Sequence, residues 1–196
     1  MTVKGGHMKI VDLNDPNKDF PISPCGLVLG NFDGVHLGHL ALIERLKEIG
    51  AMRDERLPLG AFCFEKHPSS YLGDPTPLLS SNEEKIELFQ KAGLDFVIFG
   101  DFAGLKNMTP EEFIKDFLIE KCKCFIAVCG YNYSFGAKGA GTPDQLKELF
   151  EAYSGRMVSV VSEVTVDGRP VSSTAIRAML ERGQREEAER LLGRHL

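Results

Sequence analysis

Residues 25–39 read CGLVLGNFDGVHLGH, and the stretch changes character half-way along. Residues 25–30 form a short, unbroken apolar run closed by Gly30, the signature of a strand buried on both faces. From His39 onward, Leu42, Ile43, Leu46 and Ile49 recur at helical spacing, so residues 39–49 predict an amphipathic helix. Between the two lies Asn31-Phe32-Asp33-Gly34-Val35-His36-Leu37-Gly38. Its glycines let the backbone turn and approach a ligand closely. A strand that runs through such a loop into a helix places free N–H groups and the positive dipole end over the loop. His36 and His39, three residues apart, fall on one side of the helix start. The loop is therefore a candidate polyphosphate pocket, with Gly30, Asn31, Phe32, Asp33, Gly34 and Gly38 as backbone and His36 and His39 as hydrogen-bond donors. It is not a P-loop, which would need Gly-Lys-Ser/Thr, and its glycines do not fit Gly-x-Gly-x-x-Gly. The plainer reading makes the histidines helix caps. A metal reading would join them to Asp33, although zinc-binding histidine pairs on helices are usually spaced by four.

Outward from this unit the pattern repeats. Apolar runs at 59–64 (LGAFCF), 96–99 (FVIF), 125–130 (FIAVCG) and 157–161 (MVSVV) alternate with helical segments at 82–92, 109–118, 142–153, 172–181 and 185–192. Thr109-Pro110-Glu111-Glu112 opens its helix with an N-cap, a first-turn proline and acids. Strands apolar on both faces, separated by helices, predict an α/β fold: a doubly wound, five-stranded parallel sheet, Rossmann-like, with residues 1–20 as an N-terminal extension. Ligands in such sheets sit beyond the carboxyl ends of the strands. Residues 133–143, dense in glycine, and a hairpin around Asp167-Gly168 are candidates for a small insertion at the sheet's edge.

Composition narrows the function. The chain has 196 residues, enough for one domain with a substantial core, and 43% of them are hydrophobic. Net charge is −5, which argues against a dedicated nucleic-acid binder. No apolar run approaches the ~20 residues of a membrane span, and Met1–Met8 has no apolar core of a secretory signal. Five cysteines, an odd number with no Cys-x-x-Cys pair, fit reduced, buried thiols and a cytoplasmic location. Cys122 and Cys124 lack a common zinc spacing.

A second anion site is expected at 172–177. Ser172, Ser173 and Thr174 stand where a helix begins, and Arg177 follows one turn later with a planar donor fork. Alone this would be a capped helix with a surface arginine; beside the first loop it reads as the other half of a phosphate pocket. His67 and Pro68, just after residues 59–64, and Asn132 and Phe135, after 125–130, could face or stack on a flat ring, with core packing the competing reading for Phe135.

These motifs carry a resemblance. His-x-Gly-His after the first strand resembles the nucleotidyltransferase superfamily, and GNFDGVHLGH resembles the FMN adenylyltransferase module of bacterial bifunctional riboflavin kinase/FAD synthetases. Phe64-Glu65-Lys66-His67-Pro68 is similar to the family's Phe-x-Pro-His-Pro, with Lys66 replacing the first proline. Gly130–Gly136 (GYNYSFG) and Val171–Arg177 (VSSTAIR) are similar to two further family segments. The resemblance implies transfer of AMP from ATP to FMN, giving FAD and pyrophosphate, with Mg²⁺ accompanying ATP. It implies His36, His39 and Arg177 as catalytic residues, and Ser173 and Thr174 on the β- and γ-phosphates. Asn132, Phe135 and the segment after His67 would form the flavin side. The family's kinase module follows a Leu-Leu-Gly-Arg sequence; here only His195 and Leu196 follow Leu191–Arg194, so that module is expected to be absent. The competing expectations are a nucleotidyltransferase with another acceptor and a non-catalytic flavin-nucleotide binding module. Oligomeric state is not legible.

Overall fold

The sheet begins earlier in the chain than the apolar runs suggest. In the computed structural model, which describes residues 8–12, 24–66, 68–71 and 76–196, Lys9–Asp12 forms a strand, β1. It pairs in parallel with the strand at Phe96–Gly100. The sheet thus has six strands rather than five, and part of the expected extension belongs to it. A four-residue edge strand, KIVD, with Ile10 45% exposed, gives no apolar run from which to recognise it.

The remaining strands follow the sequence closely: β2 (Cys25–Leu29), β3 (Leu59–Phe64), β4 (Phe96–Gly100), β5 (Cys124–Gly130) and β6 (Met157–Val161). The order is β1-β4-β3-β2-β5-β6 and every pairing is parallel. The helices between them are α1 (Leu37–Ala51), α2 (Asn82–Lys91), the single turn α3 (Phe102–Leu105), α4 (Pro110–Glu112) and α5 (Pro143–Glu151). Two more, α6 (Ser173–Glu181) and α7 (Arg185–Leu192), close the described chain. α4 continues as π-helical turns over Phe113–Lys121, where Cys122 N–H donates to the Phe117 carbonyl five residues back.

Alternation along the strands splits the core into two layers. Leu27 and Leu29 join Phe62, Ile98, Phe117, Leu146 and Phe150 on one face of the sheet; Val28 joins Ala61, Val97, Ile43, Leu46 and Phe89 on the other. Capping boxes at Ser81/Glu84 and Thr109/Glu112 hold the starts of α2 and α4. All five cysteines are free and buried, and burial pushes the Cys25 thiol up to about 12.

The short strands β7 (Thr165–Val166) and β8 (Arg169–Pro170) form the expected hairpin. Asp167 (φ 52°) and Gly168 (φ 74°) both take the left-handed turn conformation that a two-residue hairpin needs.

β2 has β3 on one side and β5 on the other. The chain leaves β2 toward β3 and β4, then returns to lay β5 and β6 on the opposite flank. Loops after β2 and β5 therefore diverge, and a crevice opens at the carboxyl end of the sheet between them.

Candidate active site

That crevice is a cavity of about 1170 Å³. It brings together His36 and His39 after β2, Pro68 after β3, Asn132 and Phe135 after β5, and Ser172, Ser173, Thr174 and Arg177 at the start of α6. Gly30, Asn31, Asp33 and Gly38 also line it. Phe32 and Gly34 do not. The expected site residue His67 lies outside the described residues.

The β2–α1 loop is backbone under strain. Phe32 (φ 51°) and Val35 (φ 38°) adopt left-handed conformations that non-glycine residues rarely take, and a β-branched residue least of all. Such strain concentrates where a loop must hold one shape for function. Phe32 is fully buried; its ring stands edge-on to Phe89 and 4.9 Å from the His39 ring, so it props up the histidine rather than meeting a ligand. Gly34 N–H donates to Ser80 Oγ at 2.9 Å and is already engaged. Phe32 and Gly34, both expected at the phosphates, thus stand behind the loop's cavity face.

His36 is the N-cap of α1: its Nδ1 accepts the His39 N–H at 3.3 Å. The capping reading of His36 is therefore true, but it leaves the rest of the ring free for the cavity. With Nδ1 an acceptor, the neutral ring carries its proton on Nε2, as a donor. The His36 and His39 rings stack with centroids 3.6 Å apart and 14° between planes. Gly38 permits the fold-back, since a Cβ there would lie 3.1 Å from the His36 ring. Burial, opposed by a backbone hydrogen bond and reinforced by Arg194, lowers His36 to about 4. Burial, then His36 and Lys85, hold His39 well below its usual value. Both rings are neutral at neutral pH, and His39 Nδ1 is buried without a partner.

Asp33 connects the two motifs. Its side chain is 1% exposed. Oδ1 accepts from Leu79 N–H (2.8 Å) and Ser80 N–H (3.3 Å), and Oδ2 accepts from Arg177 Nη1 (2.6 Å). Ser173 Oγ donates to the Asp33 carbonyl at 2.8 Å, and Ser172 Oγ caps α6 by accepting from Ala175 N–H. The Asp33 carboxylate, through Arg177, and the Ser173 hydroxyl thus hold α6 against the loop, while Ser172 caps the helix itself. Ser173 and Thr174, in the first turn of α6, line the cavity at the positive end of the helix dipole.

The opposite end of the cavity is apolar. Phe62, Phe64, Phe102, Leu105, Phe113 and Phe135 line it, and Phe64 and Phe102 meet edge-to-face at 5.2 Å. Phe135 is 5% exposed and packs on Phe113 and Tyr133, so it is wall and core at once. Tyr131 Oη donates to Glu163 Oε1 at 2.5 Å at the rim. Sequence reasoning missed Ser80, Tyr131, Glu163, Lys106 and Lys138; only the glycine density around Lys138 gave a signal.

An FAD synthetase family model matches residues 21–175. The chain belongs to the FAD synthetase family. The match takes in Asp33, both histidines and Ser172–Thr174, and it ends two residues before Arg177. Relatives within the FAD synthetase family include bifunctional riboflavin kinase/FMN adenylyltransferases. The protein of Listeria monocytogenes is 33% identical over 85% of this chain and 53% of its own length. That of Bacillus subtilis is 31% identical over 85% and 52%, and that of Escherichia coli 32% identical over 88% and 55%. The chain spans about half the length of these relatives. A solved structure described as a macrolide-efflux protein from Streptococcus pneumoniae superposes with a TM-score of 0.81 over 95% of this chain and 62% of its own, at 26% identity.

Proposed function

We propose that the chain is an FMN adenylyltransferase, transferring AMP from ATP to FMN to give FAD and pyrophosphate. The observation that carries this reading is the division of one cavity. A neutral histidine pair and the start of α6 stand at one end, and a wall of aromatic side chains at the other. A polyphosphate and a flat ring fit these ends respectively.

An FMN phosphate oxygen attacks the α-phosphorus of ATP. A new P–O bond forms, the α–β bridging bond breaks and pyrophosphate leaves in line. No covalent intermediate on the protein is required; the chain's contribution is alignment and stabilisation of developing charge. His36 donates from Nε2 to an α-phosphate oxygen without adding or removing a proton. His39, stacked beneath it, holds that ring in place and presents its own edge. The α6 N–H groups, Thr174 and the unpaired nitrogens of Arg177 take the β- and γ-phosphates. Asn132 and Phe135, with the segment around His67 and Pro68, serve the flavin side.

Mg²⁺ fits as a companion of the triphosphate, since Asp33 is already engaged by Arg177 and two backbone amides. Such an ion takes most of its ligands from phosphate and water and neutralises phosphate charge. The proposed unit is one FMN adenylyltransferase domain over residues 1–196, acting in the cytoplasm on small molecules. No helix among the described residues is long and apolar enough to cross a membrane.

Incubation of the pure protein with ATP, Mg²⁺ and FMN, followed by chromatography, should yield FAD and pyrophosphate. Riboflavin in place of FMN should yield neither. Adenylylation of a different phosphorylated acceptor in preference to FMN would overturn the reading, as would binding of FMN and ATP without turnover.

A further inference from the structure

The charges in the cavity are distributed unevenly. At the polyphosphate end Arg177 is paired with Asp33, and both histidines are neutral at neutral pH. At the rim Glu163 accepts from Tyr131. Among the described lining residues, the cations left without an ion pair are Lys106, which follows Leu105 in the chain, and Lys138, three residues after Phe135; Leu105 and Phe135 belong to the apolar wall.

The two lysines stand on separate loops that are fastened together. Ala137 N–H donates to the Met108 carbonyl at 2.6 Å, joining the turn that carries Lys138 to the loop that carries Lys106. Gly136 lies so close to this loop that a Cβ would come within 3.0 Å of the Pro110 nitrogen. Lys138 itself sits at φ 57°, ψ 20°, a left-handed conformation for a residue with a long side chain. Glycines stand close by at 136, 139 and 141, yet this position carries an ammonium group. A strained backbone bearing a cation over a cavity points to a ligand that needs the charge.

The loops border the wall made by Leu105, Phe113 and Phe135. A ligand seated there must be flat and apolar in one part and anionic in another. The triphosphate of ATP is already assigned to the far end, so the ligand of this wall is the acceptor, and a flavin mononucleotide meets the description. Bringing its phosphate beside the α-phosphate of ATP sets two anions against each other, and cations on the acceptor side offset that repulsion.

We propose that Lys106 and Lys138 form the subsite for the acceptor's monophosphate, separate from the triphosphate end. The proposal rests on the FMN adenylyltransferase reading. It makes the lysines the determinants that select a phosphorylated flavin over the unphosphorylated one.

Calorimetric titration of FMN, riboflavin and ATP tests it on three proteins: wild type, Lys106→Met/Lys138→Met and Lys106→Arg/Lys138→Arg. Wild type should bind FMN more tightly than riboflavin. The double methionine variant should lose about tenfold or more in FMN affinity, the scale of one lost charged hydrogen bond, with riboflavin and ATP affinities unchanged. The double arginine variant should regain most of the loss. Equal loss for FMN and riboflavin, loss for ATP instead, or no loss at all would overturn the subsite while wild-type FAD synthesis still stood. Wild type that made no FAD from FMN and ATP would remove the functional reading and the subsite with it.

Discussion

Arg177 Nη1 lies 2.6 Å from Asp33 Oδ2, across 144 residues of sequence. The pair fastens the first turn of α6 to the β2–α1 loop, with Asp33 1% exposed and Arg177 16% exposed. Removing Arg177 leaves a buried carboxylate held by two backbone amides alone, and removing the Asp33 charge leaves the guanidinium unpaired; breaking such a buried pair typically costs about 3–5 kcal/mol. Arg177→Ala and Asp33→Asn should each lower the urea midpoint strongly. The double variant should be less destabilised than the sum of the singles. Additive losses would show that the pair is not coupled.

Arg177 also has donors beyond Nη1, so Arg177→Lys separates its two tasks. An ammonium can still pair with Asp33 but lacks the fork for phosphate oxygens. Stability should recover further than ATP affinity does, read by urea unfolding and by ATP titration of the same sample. Full recovery of both would deny the arginine a direct role at the triphosphate.

The histidine pair predicts a rate effect. His36→Ala removes the proposed donor to the α-phosphate and the cap of α1 at once, whereas His39→Ala removes its stacked partner. Each should slow FAD formation in single-turnover experiments by about 10²–10³, the usual range for one lost charge-stabilising donor. FMN affinity, measured alone, should change little. Near-normal turnover in both variants would reduce the pair to a structural feature.

Stability should also depend on pH through these rings. His36 falls from 6.5 in the unfolded chain to about 4 in the folded one. Between those values the unfolded state binds more protons, so stability is full above pH 6.5 and declines as pH drops toward 4. The difference amounts to about 3 kcal/mol for His36, and His39 acts in the same direction. Urea unfolding at stepped pH should show a shallower decline in His36→Gln than in wild type. An equal slope would mean that His36 does not remain neutral in the fold.

Lys138 offers a trade between stability and binding. Lys138→Gly removes the left-handed strain at φ 57° and should raise stability by about 1 kcal/mol. It should at the same time weaken FMN. Lys123, at φ 51° in the tight turn before β5, is the control: Lys123→Gly should gain comparable stability and leave FMN binding unchanged. Thermal melts and FMN titrations of the two variants distinguish the positions.

The parts of this design that were legible in the sequence are those whose signal is local. Continuous apolar runs announced β2 to β6, and the serines before Ile176 announced the start of α6. β1 escaped because an edge strand of four residues needs no apolar run, only a neighbour, which β4 supplies. The role of Asp33 escaped for a different reason. A carboxylate between Phe32 and Gly34 looks like a loop residue or a ligand, and nothing near it announces that its partners are Leu79, Ser80 and Arg177. Gly34 looked free for the same reason, since its acceptor, Ser80 Oγ, lies 46 residues away. Lys106 carries no local signal and Lys138 only the glycines around it, since it is a contact between their loops that brings the two together.

The span from Asp33 to Arg177 also orders events during synthesis. At about 5–20 residues per second, Arg177 is made roughly 7–30 s after Asp33. Through that interval β2, β3 and β4 can assemble, but the carboxylate that will sit at the heart of the loop has no guanidinium to meet. The α6 end of the cavity therefore cannot mature until translation has carried the chain into that helix, so a nascent chain arrested before it would hold its core strands and an unfinished site.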